Sequence, residues 1–306
     1  MDDLLKKYLF DTRNVRVQAV RLHDTWKQAQ AQQTHPACVT RLLGELVAAA
    51  TLLAANLKFD GSLVLQIQGD GPVALLVVEC RSDLSLRATV KIREGHEVPA
   101  DGTMQSLLNA RGQGRFIVVL DPANKVPGQQ PYQGIVPLEG DTVAEALQHY
   151  MKASEQLDTR LWLAANDDVV AGLLLQRLPD HGGHETGDAS PAETWERAQV
   201  LAGTLETEEL LATDTDTLIH RLFWQETLLT FEPAPVRWFC PCTRERVASM
   251  LRTLGQAEID SILAEQGKVE VHCDFCGKPY AFDAVDCTGL FAAGTPAAEQ
   301  DPPTVH

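Results

Sequence analysis

The chain has 306 residues, 44% apolar and 22% charged, with seven cysteines and a formal net charge of −16 at pH 7. That is ordinary for a soluble protein long enough for one good core plus a smaller unit, and its acidity argues against a nucleic-acid partner, which would need a concentrated basic face. The N-terminus, Met1-Asp2-Asp3-Leu4-Leu5-Lys6-Lys7, does not read as a signal peptide, which places the chain in the cytoplasm. Its most apolar stretch, Leu46 to Leu57, is about half of the roughly 20 residues that cross a bilayer. No membrane span is expected.

Val15, Val17 and Ala19 alternate with Arg16, Gln18 and Arg21 and predict a half-buried strand. Pro36 suits a first helical turn, and Val39, Leu42, Leu43, Leu46, Val47, Ala50, Leu53 and Leu57 recur at helical spacing up to a stop at Asp60-Gly61. Leu63, Leu65 and Ile67 alternate with polar or outward positions. The turn Gly69-Asp70-Gly71-Pro72 then leads into the apolar run Val73 to Val78, which reads as a hairpin. Strands follow at Leu86 to Ile92 and, after Gly112-Gln113-Gly114, at Arg115 to Leu120. Thr142 and Glu145 form a capping box for a helix through Ala146, Leu147 and Tyr150, and Leu161 to Leu163 and Val169 to Leu178 close the domain as two strands. The fold class is α+β: a mixed α/β core, residues 1–178, with a largely antiparallel sheet.

Residues 179–194 are rich in turn formers and mark a domain boundary. Beyond it, Trp195, Ala198, Leu201, Ala202 and Leu205 share one helical face, and Leu218, Ile219, Leu222 and Phe223 another after Asp214-Thr215-Asp216. Short acidic helices are marginal alone, so this linker, residues 179–235, must dock its apolar stripes to stay folded. Residues 236–291 form a small cysteine-bearing domain, and 292–306 a disordered tail.

An odd cysteine count with uneven spacing in a reducing compartment suggests metal ligands, reactive thiols or small core residues rather than a disulfide framework. Cys240-Pro241-Cys242 and Cys273-Asp274-Phe275-Cys276 make a C-x-C and a C-x-x-C pair. Four thiolates so paired can meet at one tetrahedral zinc ion, with sulfurs about 2.3 Å from the metal. Gly277 would let the backbone turn so that amides point at sulfur. The site is either a permanent zinc staple or a switch. Arg244, Arg246 and Lys278 would keep the sulfurs ionised and oxidisable, and each pair is close enough in sequence to close as a disulfide, which could no longer hold zinc. Structural zinc is worth about 10–16 kcal/mol of folding free energy, so its loss could unfold so small a domain.

These residues resemble the 33-kilodalton heat-shock protein family, the redox-regulated bacterial chaperones. The resemblance rests on Phe239 to Arg246, Leu251 to Gly255 and Val269 to Asp283. Further segments carry it along residues 4–291: Leu43 to Leu46, Leu57 to Gly61, Gln68 to Pro72, Tyr132 to Pro137, Ser154 to Gln156 and Gly172 to Gln176. It implies a dimerising N-terminal core, a metastable helical linker folded over it, and a C-terminal domain with one Zn2+ per chain on Cys240, Cys242, Cys273 and Cys276. It further implies that oxidation pairs Cys240 with Cys242 and Cys273 with Cys276, releases zinc, unfolds the linker and activates ATP-independent binding of unfolding client proteins. Family members pass clients to the ATP-dependent 70-kilodalton chaperone system. Thr243 stands where serine is usual and Val17 where glycine is frequent.

Cys38, Cys80 and Cys287 read as core residues, with Cys287 a minor candidate for a secondary redox partner. His181 and His184 read as solvated, the Gly-x-Gly pairs as turns, and no catalytic constellation stands out, so enzyme activity is not expected. The competing readings are a constitutive zinc-ribbon adaptor and a thiol–disulfide oxidoreductase using Cys273 and Cys276.

Overall fold

The computed structural model describes residues 3–31, 34–125, 130–179 and 191–292. The His181/His184 segment and the C-terminal tail lie outside them. The chain divides into two compact units, Met1–Phe239 and Cys240–His306.

In the first unit, β1 (Leu4–Phe10) and β2 (Val15–Leu22) form an antiparallel hairpin, followed by α1 (Asp24–Gln30) and the long α2 (Ala37–Ala54). Pro36 sits at the N-cap of α2. Then come β3 (Gly61–Gln68), β4 (Val73–Arg81), β5 (Ser85–Ile92), α3 (Met104–Leu108), β6 (Arg115–Pro122) and β7 (Tyr132–Pro137). Next are α4 (Val143–Ser154), β8 (Thr159–Ala165) and β9 (Val170–Arg177). Three short helices follow, α5 (Pro191–Ala202), α6 (Thr207–Ala212) and α7 (Thr215–Phe223). The chain then returns to the sheets through β10 (Leu228–Thr230), β11 (Ala234–Pro235) and β12 (Arg237–Trp238).

Two sheets result. One runs β10-β1-β2-β9-β8, with β11 also on β1; the other runs β12-β5-β4-β3-β6-β7. Every pairing is antiparallel except β12 with β5. At Thr142 the capping is shifted by one residue from the expected box. The threonine oxygen accepts from the Glu145 amide, but the Glu145 carboxylate accepts from Asp141.

α2 packs against strands of both sheets. A helix with two apolar contact faces must be apolar nearly all round, and 14 of its 18 residues are buried. By length and composition α2 could cross a membrane, yet here it is the core helix. Gly44 lies where α2 meets β8 and β9: an added Cβ would sit 2.3 Å from the Ala165 Cβ and 2.9 Å from the Val170 Cγ2. Nearby, the Trp26 indole donates to the Asn166 carbonyl at 2.7 Å.

β2 is more deeply buried than the half-buried strand its alternation suggests. Val20 and Leu22 belong to the core around α2, whereas Val15, Val17 and Ala19 belong to a second apolar cluster on the opposite face. Alternation in the sequence came from Gln18, which is fully buried but exchanges two 3.0 Å hydrogen bonds with Asn56 beyond the end of α2. β9 divides the same way, Val170 and Leu174 on the α2 side and Ala171, Leu173 and Leu175 on the other.

That outer face is covered by α5, α6 and α7. Trp195, Ala198, Ala202, Leu205, Leu210, Leu218, Ile219, Leu222 and Phe223 pack on Phe10, Val15, Val17, Ala19, Leu173 and Leu175. The Phe10 and Phe223 rings meet edge to face, centroids 5.5 Å apart. Polar contacts fix the register: Arg21 donates to the carbonyls of Leu210 and Thr213 at the end of α6, and Lys6 pairs with Asp216 at the start of α7.

The second unit holds α8 (Arg244–Leu254), α9 (Gln256–Gln266), the hairpin β13 (Val269–His272) and β14 (Pro279–Phe282), and α10 (Ala284–Ala292). Among the described residues its buried core comprises Ala248, Leu251, Ile259, Val269, Tyr280, Phe282, Cys287 and Leu290.

Replacing Gly44 with alanine should force α2 away from β8 and lower the stability of the first unit by about 1–3 kcal/mol. Thermal unfolding checks this; an unchanged midpoint would mean that the crossing can relax freely.

Candidate metal centre

Cys240 and Cys242 lie immediately before α8. Thr243 caps that helix, its hydroxyl accepting from the Arg246 amide, a task serine performs in the same way. Cys273 and Cys276 occupy the turn between β13 and β14. There Gly277 adopts φ +65°, its amide donates to the Cys273 carbonyl at 2.8 Å, and the Cys273 amide donates to the Lys278 carbonyl at 3.0 Å. A left-handed φ is what glycine tolerates without strain.

The four sulfurs lie within 4.8 Å of one another, and they are the one group of three or more such ligand atoms that converge among the described residues. Cys240 and Cys273 sulfurs are 3.6 Å apart, Cys242 and Cys276 sulfurs 3.3 Å. Four sulfurs around a tetrahedral ion at about 2.3 Å would be about 3.8 Å apart, so the donor set fits such an ion. Both of these approaches run between the two sequence motifs, and with all four sulfurs this near, geometry leaves every disulfide pairing open.

Sulfur acidity differs around the cluster. Burial raises the Cys240 thiol against an opposing hydrogen bond from the Cys242 amide. Burial likewise pushes Cys276 up to about 12, against the Lys278 amide. Cys242 is desolvated too, but the nearby Tyr280 hydroxyl and the neighbouring cysteines outweigh this and bring it down to about 7. Backbone amides and a phenol thus act on the sulfurs where arginine and lysine charges were expected. The cations are engaged elsewhere. Arg244 donates to the Ala281 carbonyl and the Asp286 carboxylate while stacking 4.1 Å over the Phe282 ring, Arg246 donates to the Pro241 carbonyl, and the Lys278 ammonium lies 5.4 Å over the Tyr280 ring.

The other cysteines are placed in apolar surroundings. Cys80 is fully buried and its thiol is pushed up by that burial, Cys38 donates to the Pro99 carbonyl, and Cys287 is buried in the small core of the second unit. Asp70 accepts the Arg111 and Gln113 amides, so the Gly69-Asp70-Gly71 segment is a turn. Tyr280 is the site residue that sequence spacing did not reveal; its strand position, opposite Val271, is what carries it into the cluster.

The chain is thus an α+β protein of two units, the smaller carrying a compact four-cysteine cluster whose geometry fits a metal ion. The family model described as "Hsp33 protein" matches residues 3–283. A "33 kDa chaperonin" of Chromobacterium violaceum is 44% identical over 299 residues, covering 98% of this chain and 97% of that protein. One of Methylobacillus flagellatus is 45% identical over 292 residues, covering 95% of each. The crystal structure of the 33 kDa chaperonin from Thermotoga maritima superposes with a TM-score of 0.79 at 23% identity, covering 95% of this chain and 98% of that one, a likeness of fold. The chain belongs to the Hsp33 protein family.

Cobalt(II) added to the reduced protein should bind once per chain with the visible bands of tetrahedral thiolate ligation. Cys273→Ser should lose those bands and weaken binding by at least about tenfold; unaltered cobalt binding would remove Cys273 from the site.

Proposed function

We propose that this protein is a redox-regulated, ATP-independent holdase chaperone whose sensor is a zinc ion on Cys240, Cys242, Cys273 and Cys276. The observation that carries it is a pair of features on one chain. Four sulfurs converge within 4.8 Å in a unit with little core of its own, and three short helices cover a largely apolar sheet face.

Bound zinc would cross-link the segment just before α8 to the β13–β14 hairpin, contributing folding free energy of about 10–16 kcal/mol. Hypochlorous acid, or peroxide with heat, takes two electrons from each of two thiolate pairs. One disulfide forms between Cys240 and Cys242 and one between Cys273 and Cys276, as the family resemblance implies, and the oxidant is reduced to chloride or water. A disulfide sulfur no longer serves as an anionic ligand, so oxidation and metal release are one event. The small unit then loses its main stabiliser.

Phe239, whose amide bonds to the Leu86 carbonyl, is joined directly to Cys240. Disorder beginning at Cys240 therefore reaches the end of β12 first. From there it acts on the return strands β10 and β11 and on the linker, residues 179–235, between the core, residues 1–178, and the zinc domain, residues 236–291. Release of α5 to α7 uncovers Phe10, Val15, Val17, Leu173 and Leu175, an apolar surface that holds exposed segments of unfolding proteins. The net charge of −16 keeps the opened protein soluble. The activated form is a cytoplasmic homodimer that hands clients to the 70-kilodalton chaperone system when reduced. Its work is binding, with no catalysis.

The test follows aggregation of a heat-unfolded protein beside the reduced or hypochlorous acid-treated chain while a chromophoric chelator reports zinc. Suppression only after oxidation, together with zinc release, is the expected result. Zinc retained through oxidation without suppression would leave the metal a permanent staple and favour an adaptor. Trp195→Asp should loosen α5 in the reduced state and give partial activity without oxidant; unchanged activity and unchanged protease resistance of residues 191–223 would contradict the covering role of these helices.

A further inference from the structure

Tyr280 sits in β14 opposite Val271, and its ring belongs to the small core of the second unit. The residue is only 5% exposed, and its hydroxyl has no hydrogen-bond partner of good geometry among the described residues. A buried hydroxyl left in that state is costly, so such groups find an acceptor. Cys242 packs against the same small core that holds the Tyr280 ring, which makes its sulfur the candidate acceptor.

The surroundings make this the natural partner. Cys240 and Cys276 each accept a hydrogen bond from a backbone amide, of Cys242 and Lys278 respectively. For Cys242 the donor at hand is the Tyr280 side chain, over whose ring the Lys278 ammonium lies at 5.4 Å. A metal-held thiolate keeps lone pairs and negative charge and is a far better acceptor than a thiol or a disulfide.

We propose that the Tyr280 hydroxyl donates a hydrogen bond to the Cys242 sulfur of the zinc-loaded site and holds that ligand in place, so that Tyr280 is a positioning residue setting how readily the cluster releases its metal. This rests on the reading of the four cysteines as a zinc site. It also gives oxidation a second effect. When Cys242 enters a disulfide, its sulfur becomes a poor acceptor and the phenol is again buried without a partner. The β13–β14 hairpin is then destabilised from its own core as well as by the departure of the metal.

The experiment uses the full-length chain, reduced and zinc-loaded, with Tyr280→Phe keeping the ring and removing the donor. Zinc content should remain one per chain, while zinc transfer to a chelator becomes about 10- to 100-fold more favourable, as for other groups that orient metal ligands. Site-resolved alkylation should find Cys242 to be the cysteine whose reactivity rises most. A second variant carries 3-fluorotyrosine at position 280, whose more acidic hydroxyl is the stronger donor; it should retain zinc more tightly than the parent. Opposite shifts from two variants of nearly equal shape would not come from packing. Equal chelator competition in the parent and both variants, all zinc-loaded, would overturn the proposal and leave the zinc site standing. Should Tyr280→Phe not fold, the fluorinated variant decides, and an unshifted competition curve overturns the proposal. A parent chain that binds no zinc would instead overturn the zinc reading, and this proposal with it.

Discussion

A β-sheet apolar on both faces needs a layer on each side, and the architecture of the first unit follows from that requirement. β9 places Val170 and Leu174 toward α2 and Ala171, Leu173 and Leu175 toward α5 to α7, and β2 does the same with Val20 and Leu22 against Val15, Val17 and Ala19. The two covers differ in kind. α2 is an 18-residue helix packed between two sheets, fixed by the close crossing at Gly44. The outer cover consists of helices of 12, 6 and 9 residues, lengths at which a helix depends on its docking surface for stability. A permanent layer and a conditional layer thus share one sheet.

The second unit is conditional for a different reason. The eight buried core residues among those described give it little hydrophobic stabilisation, and small domains of this kind lean on a cross-link. Four sulfurs between the segment just before α8 and the β13–β14 turn are placed to supply one. Arg244 contributes through the Ala281 carbonyl, Asp286 and the Phe282 ring, and in doing so ties α8 to β14 and α10. Without such a cross-link the unit rests on its small core and on these surface polar contacts, each worth little in water. Marginal stability in both places is what makes a switch physically reasonable.

Much of this was legible in the residue pattern. The apolar spacing of α2, the β3–β4 hairpin around Gly69 to Pro72 and the two cysteine pairs follow directly from local rules. β1 was hidden because Lys6 and Lys7 interrupt its apolar alternation; their amines reach Asp216 and the Ala55 carbonyl, partners visible only in three dimensions. β10, β11 and β12 are two or three residues long, too short for any period to register. At the site, closeness in sequence suggested that Arg244 and Arg246 act on sulfur, but the fold turns both side chains toward backbone carbonyls. Tyr280 belongs to the core against which Cys242 packs, 38 positions earlier in the chain and beyond the range of any local rule.

The central claim is that the state of the four sulfurs governs the outer helical layer and spares the inner core. Hydrogen–deuterium exchange of the full chain, reduced and zinc-loaded against oxidised and zinc-free, addresses it most directly. The account expects amides of residues 191–223 and of the second unit to lose protection on oxidation while α2 and β3 to β6 keep theirs. Loss of protection confined to the second unit, with residues 191–223 unchanged, would contradict it.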